Sequence, residues 1–363
     1  MSELIIKSTH ITDIKPHSNA DALELAIVNG WQVCCKKGEH FVGQEVIFIP
    51  PDSMIPWELA EQWGVATYLS GYDKKGTHNY HYENAGRVKA IRLRGEPSLG
   101  FIIPNDQNFD KDVDLKDILG IYKYEEPEKP LGGQNGTQIK NSPYWQKYTD
   151  IENERNYDNV LIDKEPVIAT EKLHGENFCG GLVLNTDCEN NREFIISSHK
   201  HQRKIGEGGS FELPIQKYKL IEMIEAIYTN YFENDVEDFK SILIYGEIIG
   251  RQDLKYNCKS GELDFYCFDI SINGRYISYD EMVAWCEKFG VPTVPLVYRG
   301  EYNKEKIWAL AENNTLIPTE KPQISEGVVV KPEIERTHPK VGRVALKFVS
   351  NNYWTRKGGT EFH

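Results

Sequence analysis

The chain opens with short apolar segments broken by polar positions. "ELIIKSTHITDI" (3–14), "LELAIVNGWQVCC" (23–35), "QEVIFIP" (44–50), "RVKAIRLRG" (87–95) and "LGFIIP" (99–104) alternate or run apolar for a few residues. Gly, Pro, Asn and Asp punctuate them, which predicts strands rather than helices. Five such strands with glycine turns predict a small closed barrel over residues 1–125.

Residues 126–142 trade apolar periodicity for proline, glycine and charge, the composition of a linker. From 143 to 363 strands and helices mix. "VIATEKL", "GGLVL", "EFIISS", "ILIYGEIIG", "DFYCFDI", "EGVVVKP" and "RVALKFV" read as strands. "PIQKYKLIEMIEAIYTNYF" (214–232) has apolar residues at three- and four-residue steps and predicts one amphipathic helix. "YDEMVAWCEKFG" predicts a second, ending at Gly290, and "EYNKEKIWALAENN" a third. The class is α+β.

Composition narrows the field. Hydrophobic residues make up 40% and charged residues 27%, as in a globular domain. No apolar run is long enough to span a bilayer, and the first residues lack a secretory core. Seven cysteines without a CxxC pair fit reduced thiols in the cytoplasm. A net charge of -13 argues against a general nucleic-acid coat, though Lys and Arg cluster at 197–204 and 331–347.

"VIATEKLHGENFCGG" (167–181) places Lys172 at the end of an apolar strand. A free lysine amine, with a pKa of about 10.4, is protonated at neutral pH. Burial or a nearby cation frees its lone pair for attack. Gly175 allows a tight turn and close approach of a ligand to the backbone. K-x-x-G by itself arises by chance in most proteins. Further along, "YGEIIG" holds Glu247, "SEGVVVKP" holds Glu326 and Lys331, and "RVALKF" holds Lys347.

In that order these segments resemble the motif set of the covalent nucleotidyltransferases, the polynucleotide ligases and capping enzymes. "KYTDIEN" (147–153), "ATEKLHGENF" (169–178) and "DFYCFDI" (264–270) bring the resemblance close to RNA ligases of the RNA ligase 2 type. "ITDIKPHSNADALELAIVNG" and "RVKAIRLRGEPSLGFIIP" look like an oligonucleotide/oligosaccharide-binding (OB) barrel. A barrel before such a core resembles the Deinococcus-type RNA ligases. Few residues follow Lys347, so any assisting domain is expected to be the N-terminal one.

The resemblance implies an adenylyltransferase domain of antiparallel sheets with flanking helices, and an ATP-dependent monomer that seals nicks in duplex RNA or RNA/DNA hybrids. Lys172 would carry AMP, and Glu247 and Glu326 would hold Mg2+ or Mn2+. Phe268 and Val329 would sandwich adenine, and Glu171 would help read its edge. Lys347 would contact the α-phosphate, and Lys331 a phosphate or the ribose. His174 and Asn177 match positions tied to catalysis and nick engagement.

Two departures stand out. Val349 replaces the second lysine of the last motif, with Arg343 or Lys357 as substitutes. An arginine expected after the next strand is replaced by "SSHKHQRK", where His199, Lys200 or Arg203 could serve and Lys200 is preferred. In the barrel, Lys36, Lys37, Arg92 and Arg94 are candidate strand contacts. Two other readings remain: a capping-type guanylyltransferase or DNA ligase of the same superfamily, and a non-catalytic RNA-binding protein.

Overall fold

A computed structural model describes residues 3–72, 84–125, 137–157, 159–188, 190–233, 235–259 and 261–356. Most of the linker segment, 126–136, and Lys357 lie outside the described residues. Contacts divide the chain into two compact units. The first gathers described residues up to 125 with 152–157 and 349–356, and the second holds 137–151 and 159–348.

In the first unit, Lys7–His10, Glu45–Ile49 and Phe101–Pro104 form one antiparallel sheet. Asp13–Pro16, Leu23–Val28 and Trp31–Lys36 form a second. The turn between its last two strands needs left-handed backbone at Asn29 and Gly30, which that pair of residue types accommodates. Among the described residues, Ala90–Leu93 pairs only with Glu96–Leu99, so the OB-type barrel is not closed, contrary to the expectation. Pro97 supplies a reason: it has no N–H to give to a ladder. Side chains bridge the gap instead. Cys34 N–H donates to Ser98 Oγ at 3.0 Å, and Gln32 Nε2 donates to the Pro97 carbonyl at 2.9 Å. The helix Trp57–Gln62 was not foreseen.

The sequence division at 143–363 draws one continuous cut, whereas two later segments pack with the first unit. Arg155 stacks its guanidinium 4.5 Å from the Trp31 ring centre and donates to Asn351 at 2.9 Å. Trp354 meets Trp31 edge-on.

The second unit holds two antiparallel sheets. The larger runs, in order, Gln138–Ile139, Gln202–Arg203, Arg192–Ser197, Glu176–Leu184, Ser241–Ile249, Asp264–Ile272 and Arg275–Tyr276. The other includes Leu346–Val349, Gly327–Pro332, Pro166–Lys172 and Leu296–Glu301, in that order. The apolar run of Ser241–Ile249 is continuous because both its faces are covered. Ile242, Ile244 and Ile248 pack with Met223, Ile224 and Met282 of the flanking helices, while Leu243 and Tyr245 pack with Tyr148 and Cys179.

The single helix expected over 214–232 is two, Leu213–Lys217 and Leu220–Phe232. Tyr218 is extended between them, and its hydroxyl donates to Asp264. Tyr279–Phe289 behaves as expected: Ser278 Oγ caps it by accepting from Glu281 N–H, and Gly290 ends it with φ 69°. Among the described residues no helix is long and apolar enough to cross a membrane.

Candidate active site

Lys172 ends the Pro166–Lys172 strand, and antiparallel register sets it opposite Gly327. Glu326, the residue just before Gly327–Pro332, is thereby carried to the same spot. Its Oε1 lies 2.6 Å from Lys172 Nζ. Glu326 is buried, while Lys172 keeps 25% of its side chain exposed.

The next strand, Glu176–Leu184, pairs with Ser241–Ile249 so that Asn177 faces Glu247. The turn into it passes very close to that partner. A Cβ on Gly175 would sit 2.3 Å from the Ile248 carbonyl oxygen and 2.7 Å from Glu247 Cγ. The close approach that the missing Cβ permits is therefore made by the neighbouring strand. Glycine is required there by strand packing, not by a left-handed backbone.

His174 is fully buried. Its backbone N–H donates to the Tyr256 hydroxyl at 2.7 Å. Its Nε2 lies 2.5 Å from Asp253 Oδ1, and its Nδ1 lies 3.8 Å from Glu326 Oε2. Burial pushes the Glu247 carboxyl up to about 8; Lys172 opposes the shift, and the charges of Glu326 and Glu176 add to it. Burial also raises the Glu171 carboxyl, against hydrogen bonds from Thr315 and Leu316. Leu316 N–H donates to Glu171 Oε2 at 2.8 Å, while Oε1 is buried without a hydrogen-bond partner.

Phe268 owes its orientation to a β-bulge. Register passes from Tyr245 opposite Asp269 to Gly246 opposite Cys267, leaving Phe268 as the extra residue. It stays half-buried beside Tyr148, ring centres 4.8 Å apart. Val329 is likewise half-buried within an otherwise buried strand. Lys331, two residues on and on the same strand face as Val329, reaches Asp269, the neighbour of Phe268, at 2.7 Å. That ion pair ties the strand of Phe268 to the strand of Val329.

Asp269 also accepts from Arg343 at 3.0 Å and from the Tyr148 hydroxyl at 2.5 Å. Burial would raise its carboxyl, but Lys331 and Arg343 outweigh that and hold it at about 2. Arg343, proposed as a stand-in at the last motif, is engaged by Asp269 and Glu335 and stacks 3.5 Å from the Tyr276 ring centre. Lys347 is buried on the Leu346–Val349 strand, and so is Val349.

In "SSHKHQRK" the preferred Lys200 is exposed at a turn. His199 is held by Asp150 at 3.1 Å. Arg203 is the buried cation of this stretch: its guanidinium lies over the Phe211 ring, and the charge of Glu176 acts on it. Sequence reasoning missed Asp253, Tyr256 and Asp269. Asp269 carried a signal, a charge inside an apolar strand, while Asp253 and Tyr256 carried none.

The chemistry of the donors limits what the site can hold. Glu247 and Glu326 flank Lys172, and Glu326 Oε2 is buried without a hydrogen-bond partner. Among the described residues no cluster of three or more His, Cys, Asp or Glu is arranged to hold an ion alone. Two carboxylates suit a hard cation that keeps most of its waters, magnesium or manganese, rather than zinc.

An RNA ligase family model matches residues 165–349, just over half of the chain. An OB-fold domain model matches residues 5–105. No curated protein matches the chain by sequence. Solved structures of an RNA ligase from Naegleria gruberi share its fold. One glutamate-to-alanine variant, with ATP and manganese, superposes at a TM-score of 0.72 with 21% identity, covering 97% of this chain and 98% of its own. Another, with AMP and manganese, gives 0.73 and 22%, covering 99% and 100%. The same ligase with pyrophosphate gives 0.69 and 22%, covering 97% and 98%.

Proposed function

The chain belongs to the RNA ligase family, and on that premise we propose that it is an ATP-dependent enzyme that joins a 3′-hydroxyl to a 5′-phosphate at nicks in duplex RNA or RNA/DNA hybrids, a repair activity. One observation carries the reading: Lys172, at a strand end, keeps its amine 2.6 Å from the buried Glu326. The Naegleria structures, which hold ATP, AMP or pyrophosphate, contain the reactant and products expected of a lysine adenylation.

Three transfers follow. Lys172 Nζ forms a bond to the α-phosphorus of ATP as the bond to pyrophosphate breaks. AMP passes to the 5′-phosphate of the nick. The 3′-hydroxyl then attacks that phosphate, and AMP leaves. Positioning and charge neutralisation dominate such chemistry.

The residues divide these tasks. Phe268 and Val329 clamp the flat base, and the unpartnered Glu171 Oε1 accepts from its exocyclic amine. Lys347 neutralises the α-phosphate. Lys331 braces the two strands through Asp269 and adds positive charge beside the ribose. Asn177, opposite Glu247, and the basic residues Lys200 and Arg203 face the remaining phosphates and the nick. Glu247 and Glu326 would hold magnesium or manganese, which when bound neutralises charge at the reacting phosphate. The OB unit grips the duplex beside the break.

Mass spectrometry after exposure to ATP, then to GTP, tests this. One AMP on Lys172, absent from Lys172→Ala, and ATP-dependent sealing of a nicked RNA duplex are expected. Loading by GTP alone, or no loading, would refute the reading.

A further inference from the structure

A fully buried imidazole between two carboxylates is an unusual thing to place beside a nucleophile. His174 Nε2 is 2.5 Å from Asp253 Oδ1, and its Nδ1 is 3.8 Å from Glu326 Oε2. Glu326 Oε1 in turn is 2.6 Å from Lys172 Nζ. Asp253 stands on the excursion that follows Ser241–Ile249, with 49% of its side chain exposed, and is remote from His174 in sequence. The same excursion supplies Tyr256, whose hydroxyl accepts the His174 backbone N–H. One loop thus anchors the histidine at both its ring and its backbone.

We propose that Asp253 is a positioning residue, which through His174 fixes Glu326 and through Glu326 fixes the Lys172 amine. The inference rests on the ligase reading above. A carboxylate can only accept, so His174 Nε2 carries the proton in this bond. That bond sets the ring's rotation and seats the ring edge against the buried Glu326, with Nδ1 3.8 Å from Oε2, so the imidazole limits where that carboxylate can lie. Without Asp253 the ring loses the bond that sets its rotation, the surface that confines Glu326 shifts, and the amine's anchor shifts with it. Buried partners behind a reacting group act in this way in many sites.

The test uses Asp253→Ala and Asp253→Asn in the full chain. Asparagine keeps an acceptor for Nε2–H; alanine removes it. Single-turnover transfer of AMP to Lys172 is expected to slow by about tenfold or more in Asp253→Ala, with the ATP half-saturation held within about twofold. Asp253→Asn is expected to recover to within about threefold of wild type. Nitrogen-15 histidine NMR should show a protected Nε2–H signal, identified by its absence from His174→Gln, that is lost in Asp253→Ala and kept in Asp253→Asn.

Wild-type transfer in Asp253→Ala, equal loss in both variants, or an unchanged histidine signal would overturn the proposal. If wild type itself takes no AMP, the ligase reading fails. The histidine signal still decides the Asp253–His174 contact, because its loss in Asp253→Ala upholds that contact and its persistence overturns it.

Discussion

Lys172 and Glu326 meet because two strands run antiparallel and end together: the register that pairs Lys172 with Gly327 leaves Glu326 2.6 Å from the amine. An ammonium held in an ion pair is not a nucleophile. Attack requires the pair to part and Nζ to lose its proton, and a divalent cation competing for Glu326 favours both. Chelating divalent metal should therefore abolish AMP transfer to Lys172, and Glu326→Gln should slow it by at least about 100-fold at saturating magnesium. Label transfer from ATP on a denaturing gel measures both. Full activity in EDTA would show that the pair parts without a metal.

The approach of two backbones at Gly175 makes a sharper claim about folding. A methyl group there would overlap the Ile248 carbonyl and the Glu247 side chain. Neither can retreat easily, since Asn177 and Glu247 are paired on the same two strands. Gly175→Ala should cost about 1–3 kcal/mol in urea unfolding and displace Glu247 from the cleft. Unchanged stability would mean that the turn relaxes freely.

Glu247 trades stability for function. Its folded value of about 8 lies above the ordinary 4.5, so the folded protein binds its proton more tightly than the unfolded chain does. Stability from this group is full below about pH 4.5 and is lost as pH rises toward 8. Glu247→Gln removes the titration. Its melting temperature relative to wild type should rise between pH 5 and pH 8, by a few degrees, while AMP transfer falls. A difference that does not change with pH would count against a desolvated carboxylate at this position.

Much of this site was legible because its chemistry sits in local strings. Lys172, Glu247, Glu326 and Lys347 each mark a strand end or a charge inside an apolar run, and the fold brings the first three together. What was illegible depends on register and on distant loops. Nothing near Phe268 announces that a bulge re-aims it. Nothing near Asp253 announces a histidine far up the chain. The barrel was read as closed because alternation predicts strands and not their pairing, and Pro97 interrupts one pairing. The break at Tyr218 was hidden for a similar reason: the apolar spacing continues through it, while a bond to Asp264 extends the backbone.

Asp269 offers the test of how the two sheets are held together. It is buried with Lys331, Arg343 and the Tyr148 hydroxyl around it. Burial alone would favour the neutral acid, yet the two cations hold the carboxyl at about 2, below the ordinary 3.8. A depressed folded value means that the unfolded chain binds the proton more readily. The stabilisation is therefore full above about pH 4 and is lost as pH falls through 2, amounting to roughly 2 kcal/mol. Asp269→Asn should cost about 3–5 kcal/mol at pH 7, because it leaves two buried cations short of their counter-ion. In urea unfolding at a series of pH values, the gap between wild type and Asp269→Asn should stay level from pH 8 to pH 5 and narrow below pH 4. A gap that persists unchanged at pH 3 would place the effect in hydrogen bonding rather than charge. ATP binding should register the same loss: with Lys331 released from Asp269, the strands that carry Phe268 and Val329 lose the brace between them, and ATP affinity should weaken in step with stability.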